Sequence, residues 1–124
     1  MSKPLTQTEL LRAEWLTRLS TQQHRQIHGL IRNIRGGVCA VGLLHEILAE
    51  RGIPAHGNDN GRFVGLHRDD ILVVTSLNDG WVYFRRDGTM PPRLLPHVGE
   101  GCVRNFQRRT FAEIRDIVAG WFAK

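Results

Sequence analysis

Apolar residues recur at helical spacing in three stretches of the chain, near its start, its middle and its end. The first stretch opens with a capping-box sequence at 6–9 and continues with apolar positions at i, i+4 and i+8: Leu11, Trp15 and Leu19. The second runs from 38 to 51, where Gly52 and Pro54 terminate a helix. The third follows another capping-box sequence at 110–113. Each pattern predicts an amphipathic helix, and the helices need a common core, with expected members Leu44, Ile47, Ile114, Val118 and Trp121.

Elsewhere the pattern is mixed. Residues 20–37 fit either a short extended arm or a frayed helix, and residues 62–66 fit a short strand. At 70–77, β-branched residues favour a strand, whereas an acidic cap favours a helix. The aromatic run 81–84 followed by Asp87-Gly88 predicts a hairpin. We therefore expect one α+β domain over residues 1–124, mainly helical, with a short extended arm and a small β-hairpin or two-to-three-stranded sheet.

Composition is that of an ordinary globular protein. The 124 residues are 41% hydrophobic and 23% charged, which suits one folded domain and argues against disorder. No apolar run approaches the ~18 residues of a membrane span, and the first residues lack the apolar stretch of a secretory signal. We expect a cytoplasmic protein that does not associate with membranes. The two cysteines, Cys39 and Cys102, lack Cys-x-x-Cys spacing, so free thiols are expected.

Four short blocks of the chain resemble a family of small, largely uncharacterised bacterial and phage proteins. That family shares a Tyr-x-Gln-x-x-Gly-x-Leu arm, a Cys-Cys-Leu-Gly-Val helix start, Leu-Asn-Asp, and Ser-Phe-x-Glu-Ile-Ala-Asp. The corresponding blocks here are 24–31, 39–43, 77–79 and 110–116, with His24 and Ala40 as departures and a long insertion over 80–109. The resemblance implies a mainly helical α+β fold and favours a helix at 70–77. It implies no activity and no catalytic residues.

Cys39 is the candidate nucleophile. It follows two glycines at the expected first turn of a helix, where the helix dipole and free amides stabilise a thiolate. A cysteine hydrolase would pair it with a histidine, and His67 and His97 are the weak candidates. We favour the alternative, in which Cys39 is a small buried apolar residue, because no nucleophile signature surrounds it.

Two further polar motifs have structural and functional interpretations. His24 and His28 have the i, i+4 spacing of metal ligands, but two histidines without a third ligand do not make a site, so no metal or other cofactor is predicted. Asn78-Asp79-Gly80 is typical of a turn, in which the side chains bond the local backbone. The alternative is that Asn78 and Asp79 contact a ligand.

The strongest functional signal is an uneven distribution of arginine. The formal net charge is +5, and arginines cluster at 18–35 and at 85–109, the second cluster beside Trp81, Tyr83, Phe84 and Phe106. Guanidinium groups for phosphates and rings for bases predict a nucleic-acid surface. The candidate contact residues are Arg25, Arg32, Arg35, Arg85, Arg86, Arg108 and Arg109. The alternative is that the arginines are a solvated face and some of the rings are core.

These observations favour a non-enzymatic binding or adaptor module of bacterial or phage type, with an unknown protein or nucleic-acid partner. The first alternative is a nucleic-acid-binding protein that uses the two arginine clusters, although no helix-turn-helix, zinc-finger or ribonucleoprotein motif accompanies them. The second alternative is a thiol-dependent enzyme centred on Cys39.

Overall fold

A computed structural model describes residues 5–21, 26–27, 39–54, 57–98 and 106–123. Over these ranges the chain forms α-helices α1 (Gln7–Thr21), α2 (Ala40–Glu50), α3 (Arg68–Asp79) and α4 (Phe111–Phe122), with 3-10 segments at Gly57–Val64 and Pro92–His97. Helix α1 contacts α2 and α4, and α3 contacts α2, α4 and both 3-10 segments. No helix in these ranges combines the length and the apolar character needed to cross a membrane.

Capping boxes begin α1 and α4, as the sequence predicts. The Thr6 hydroxyl accepts a hydrogen bond from the Glu9 amide at 3.1 Å, and the Glu9 carboxylate accepts one from the Thr6 amide at 3.2 Å. Thr110 and Glu113 repeat the arrangement at 3.2 and 3.0 Å. Each box satisfies amide donors that the first helical turn leaves without a partner, which explains why both helices begin where they do.

Residues 70–77 lie inside α3, so the helix alternative is right and the strand alternative is wrong. The cap is His67, whose ring Nδ1 accepts from the Asp69 amide at 3.1 Å while the Asp70 carboxylate accepts from the His67 amide at 3.0 Å. Three of the four β-branched residues in this stretch, Ile71, Val73 and Val74, are buried, together with Leu77. Burial of these residues outweighs the small helix-propensity cost of β-branched side chains.

The expected β-structure is wrong, because the described residues contain no strand and no sheet. The predicted turn does form: Gly88 has φ of 84°, and the Arg85 amide donates to the Thr89 carbonyl at 2.8 Å. The chain beyond the turn cannot pair further, since two consecutive prolines lack amide donors and lead into the 3-10 segment Pro92–His97. The α+β class is therefore corrected to a helical class over the described ranges.

The strand expected at 62–66 is also absent. This region ends the 3-10 segment, with the Leu66 amide donating to the Gly61 carbonyl at 2.7 Å. Gly61 packs so closely on α3 that an added Cβ would lie 2.8 Å from Cγ1 of Ile71. The chain thus packs against a helix, where no neighbouring strand offers a ladder. Of the arm expected over 20–37, only Gln26 and Ile27 beyond α1 lie among the described residues, and neither is helical.

The core is centred on Trp15, which has no exposed surface. Its indole nitrogen donates to the Ala40 carbonyl at 3.0 Å, and its ring lies 6.4 Å from that of Phe122, so this side chain joins α1 to α2 and α4. The expected core residues Leu44, Ile47, Ile114 and Val118 are completely buried, which confirms four of the five. The expectation for Trp121 is wrong: it is only half-buried, and the Arg93 guanidinium lies 4.9 Å above its ring.

Replacing Ile114 by Ala should lower the free energy of unfolding by about 2–5 kcal/mol, because the side chain is completely buried and its removal leaves a cavity. Replacing Leu10 by Ala should change the free energy of unfolding by no more than about 0.5 kcal/mol, because this side chain on α1 is 44% exposed. Urea denaturation of both variants beside the unaltered protein provides the measurement. Equal stability of the two variants would contradict the core assigned to α4.

Candidate functional site

The side chain of Asn78, near the end of α3, joins three parts of the chain. Its oxygen accepts hydrogen bonds from the Ala40 amide at 3.1 Å and from the Gln26 side chain at 2.9 Å. Its nitrogen donates to the Ile27 carbonyl at 2.8 Å and to the Asp79 carboxylate at 2.9 Å. Asn78 has no exposed surface. A ligand contact by Asn78 would require these bonds to break, so the geometry favours a structural role. The predicted turn with local backbone bonds is corrected, because Asn78 and Asp79 lie inside α3 and Asn78 bonds residues far away in sequence.

The segment that precedes α4 is fastened to the same end of α3. The Arg109 amide donates to the Leu77 carbonyl at 2.6 Å, and the Arg109 carbonyl accepts from the Gln26 side chain at 2.8 Å. Gly80 caps α3 with φ of 75°, and an added Cβ there would lie 2.8 Å from Cβ of Arg108 and 2.9 Å from its amide nitrogen. Only glycine permits this left-handed cap and this close approach together. Arg108 is thereby placed next to the end of α3.

Asp79 is half-buried, and its carboxylate interacts with Tyr83 as well as Asn78. The Tyr83 hydroxyl donates to Asp79 at 2.8 Å, and this hydrogen bond, with burial, raises the pKa of Tyr83 to about 12. The Tyr83 amide donates to the Ser76 hydroxyl at 3.0 Å. The chain after α3 is therefore bonded back onto the helix it has just left.

Cys39 is the N-cap of α2, as its sequence context predicts, but its environment does not favour a thiolate. The side chain is 4% exposed, and its sulfur accepts from the Gly42 amide at 3.3 Å. Burial raises the pKa of the Cys39 thiol, and the negative charge of Asp79 acts in the same direction. Backbone amides at the helix start act in the opposite direction and are outweighed.

Neither candidate histidine is placed as a base for this thiol. His67 is exposed and caps α3. His97 is half-buried in the second 3-10 segment, where burial and the charge of Arg109 lower its pKa. No contact described here joins Cys39 to either ring. His24, His28 and Cys102 lie outside the described residues, and the described ones contain no group of three side chains suited to hold a metal ion.

Acidic residues at the start of α3 form ion pairs with two arginines of the second cluster. The Arg85 guanidinium donates twice to the Asp69 carboxylate, at 2.9 and 2.6 Å, and Arg93 pairs with Asp70 at 3.2 Å. Arg109 is half-buried, with its guanidinium 5.8 Å from the ring of Phe106. These three arginines therefore already have interaction partners within the protein.

Two members of the predicted clusters, Arg86 and Arg108, are exposed, and no carboxylate of the described residues pairs with either. Arg18, in the first cluster, donates to Glu46 at 3.2 Å and contacts Glu14 and Glu50 as well. The remaining candidates, Arg25, Arg32 and Arg35, lie outside the described residues. Among the described members of the predicted clusters, Arg86 and Arg108 are therefore best placed for an external anion.

Exposed rings lie between these two arginines. Trp81 is 70% exposed and Phe84 is 49% exposed, whereas Val82 between them is buried. Strict strand alternation, the alternative in the sequence, would have put Trp81 and Phe84 on opposite faces, with one of the two rings in the core. The irregular chain after α3 instead exposes both. We call Trp81, Phe84, Arg86 and Arg108 the aromatic-arginine surface.

The structure brings together blocks that lie far apart in sequence. Gln26, Cys39, Asn78 and Arg109 come from the arm, the start of α2, the end of α3 and the approach to α4. Sequence reasoning missed the bridging role of Gln26, whose only signal was its place in the arm motif. No family model, no curated protein and no solved structure matched the chain.

Replacing Asn78 by Ala should lower the free energy of unfolding by roughly 2–4 kcal/mol, because each buried group left without a partner costs about 1–3 kcal/mol. The Ala40 amide and the Ile27 carbonyl would both lose the bonds described above. Chemical denaturation measures the change, with Thr17→Ala on the exposed face of α1 as a control. A cost no larger than that of the control would show that the Asn78 bonds do not hold these segments together.

Iodoacetamide at about pH 7.5 should modify Cys39 at least ~10-fold more slowly in the folded protein than in urea, because the thiol is buried and its pKa is raised. Since the unfolded thiol has a pKa of about 8.5, the free energy of unfolding should also fall as the pH rises above that value. Peptide mass mapping separates Cys39 from Cys102. Equally rapid modification in both states would support the thiol-enzyme alternative.

Proposed function

We propose that the protein is a non-enzymatic binding module and that the aromatic-arginine surface is its binding site. The observation that carries the proposal is the exposure of Trp81, an indole that is 70% accessible in a chain whose other tryptophans are buried or half-buried. Large exposed rings grouped with arginine are typical of binding surfaces, because each supplies contact area and directional interactions at once.

The anchoring of the surface supports this proposal. Between Trp81 and Phe84, Tyr83 is bonded to α3, through its amide to the Ser76 hydroxyl and through its own hydroxyl to the Asp79 carboxylate. Arg108 packs against Gly80, at the end of the same helix. A partner would contact side chains whose backbone is already fixed by these contacts, so little backbone entropy would be lost on binding. The proposal keeps the cytoplasmic location that the sequence predicts.

The geometry at Cys39 favours this function over a thiol-dependent enzyme. A cysteine nucleophile needs a thiolate and a base within hydrogen-bond reach. Cys39 is buried with a raised pKa, and the nearby charge that acts on it is the anion of Asp79. These features suit a helix cap that serves packing.

The test compares retention of partners from a bacterial lysate by immobilised proteins. The double variant Trp81→Ala/Phe84→Ala should lose the macromolecules that the unaltered protein retains, because it removes both rings. Leu10→Ala removes a 44% exposed apolar side chain from α1, and this variant should retain them. Both variants should keep the melting temperature within a few degrees, since the side chains are exposed. Identical retention by all three proteins would contradict the proposed site.

A further inference from the structure

The exposed rings lie along one helix and have charges at both ends. Residues 81–85 follow the carboxyl end of α3 and run back alongside the helix. The evidence is that the Arg85 guanidinium contacts Asp69, which lies in the first turn of α3. A 12-residue helix is about 18 Å long, a span that five extended residues at roughly 3.3 Å each nearly cover. Trp81 thus lies near one end of α3 and Phe84 towards the other, with their Cα atoms at most ~10–11 Å apart.

Two exposed arginines beside these rings could contact an anionic partner. Arg108 packs on Gly80 beside Trp81, and Arg86 lies two residues beyond Phe84. The nearest acid in sequence, Asp87, keeps its negative charge beside Arg86, because its hydrogen-bond donors are the neutral amide and hydroxyl of Thr89, at 2.9 and 2.5 Å. The charge of Asp69 is offset by the Arg85 guanidinium, whereas Asp79 is half-buried and accepts from the neutral Tyr83 hydroxyl. The order along the surface is arginine, ring, ring, arginine, within a chain of formal net charge +5.

From this order we infer that the aromatic-arginine surface binds single-stranded nucleic acid, with bases stacked on Trp81 and Phe84 and phosphates at Arg86 and Arg108. An unpaired strand presents flat base faces and a regular series of phosphates, which match rings and guanidinium groups respectively. A duplex keeps its base faces inside its own stack. An acidic peptide satisfies the arginines but supplies no planar partner for both rings.

The inference rests on the proposed binding function and specifies its partner. Because stacking tolerates every base, the surface should bind with little sequence preference. The arginines should add a salt-dependent contribution, since each neutralised phosphate of a single strand releases condensed counterions. Replacing a ring should therefore lower the affinity through lost stacking, whereas replacing an arginine should also weaken the dependence of the affinity on salt.

The experiment is a fluorescence-anisotropy titration of labelled oligo-dT and oligo-U of about 15 nucleotides, and of a duplex of equal length, at ~50 mM salt. Trp81→Ala should weaken single-strand binding by roughly 5- to 100-fold, and Trp81→Phe should restore most of it. The double variant Arg86→Gln/Arg108→Gln should reduce the slope of log affinity against log salt by about 1.4, or ~0.7 for each arginine. The unaltered protein should bind the single strand more tightly than the duplex.

Matched controls are Leu10→Ala for the rings and Arg115→Gln for the charges, since Arg115 is exposed but already paired with Asp116 at 2.9 Å. Both should leave affinity within twofold after correction for the lost charge. Absence of binding at ~50 mM salt would overturn the inference, because low salt exaggerates electrostatic attraction. Equal affinity for duplex and single strand, with Trp81→Ala neutral, would overturn it as well by showing charge attraction without stacking.

The lysate experiment distinguishes this failure from failure of the binding function. If nuclease treatment leaves ring-dependent retention of a protein intact and no oligonucleotide binds, the single-strand inference is wrong and the binding module stands. If retention depends on neither ring, both the single-strand inference and the proposed binding site are wrong.

Discussion

The hydrogen bonds of the Asn78 side chain are the constraint on which the relative placement of several segments depends. An amide buried without water must have its donors and acceptor paired inside the protein. Its partners are the Ala40 amide at the start of α2, the Ile27 carbonyl and Gln26 in the segment between α1 and α2, and the adjacent Asp79. Gln26 extends the network to the Arg109 carbonyl before α4. Burial thus converts one side chain into a junction of sequence-distant segments.

The charge distribution is set by which arginines find acids within the fold. Arg18 contacts three glutamates on α1 and α2, and Arg85 and Arg93 pair with the two aspartates in the first turn of α3. Partly exposed pairs of this kind add little to stability, typically about 0–1 kcal/mol each. Their larger effect is on the surface, because they reduce the positive field at those positions. Arg86 and Arg108 keep their charge directed to solvent beside the exposed rings.

Cys39 shows two opposing effects of a helix start on a thiol. The Gly42 amide donates to the sulfur, which by itself favours the thiolate. Burial and the neighbouring Asp79 carboxylate favour the protonated form, and they prevail, since the pKa of the thiol is raised. A sulfur that accepts one amide bond while excluded from water caps the helix and fills core space. The helix start made Cys39 a candidate nucleophile in the sequence, and burial beside Asp79 makes it a structural residue in the fold.

The sequence by itself determined the features that depend on neighbours in the chain. These are the capping boxes at Thr6 and Thr110, the left-handed end of α2 at Gly52, the turn at Gly88 and most of the apolar helix faces, because caps, turns and helical periodicity are local. Only the tertiary structure decided the rest. Residues 62–66 and 70–77 have strand-like composition, yet they pack against helices and not against other strands, so burial outweighed propensity. The bonds of Asn78, the choice of which arginines are paired, and the joint exposure of Trp81 and Phe84 depend on segments distant in sequence, which no local pattern encodes.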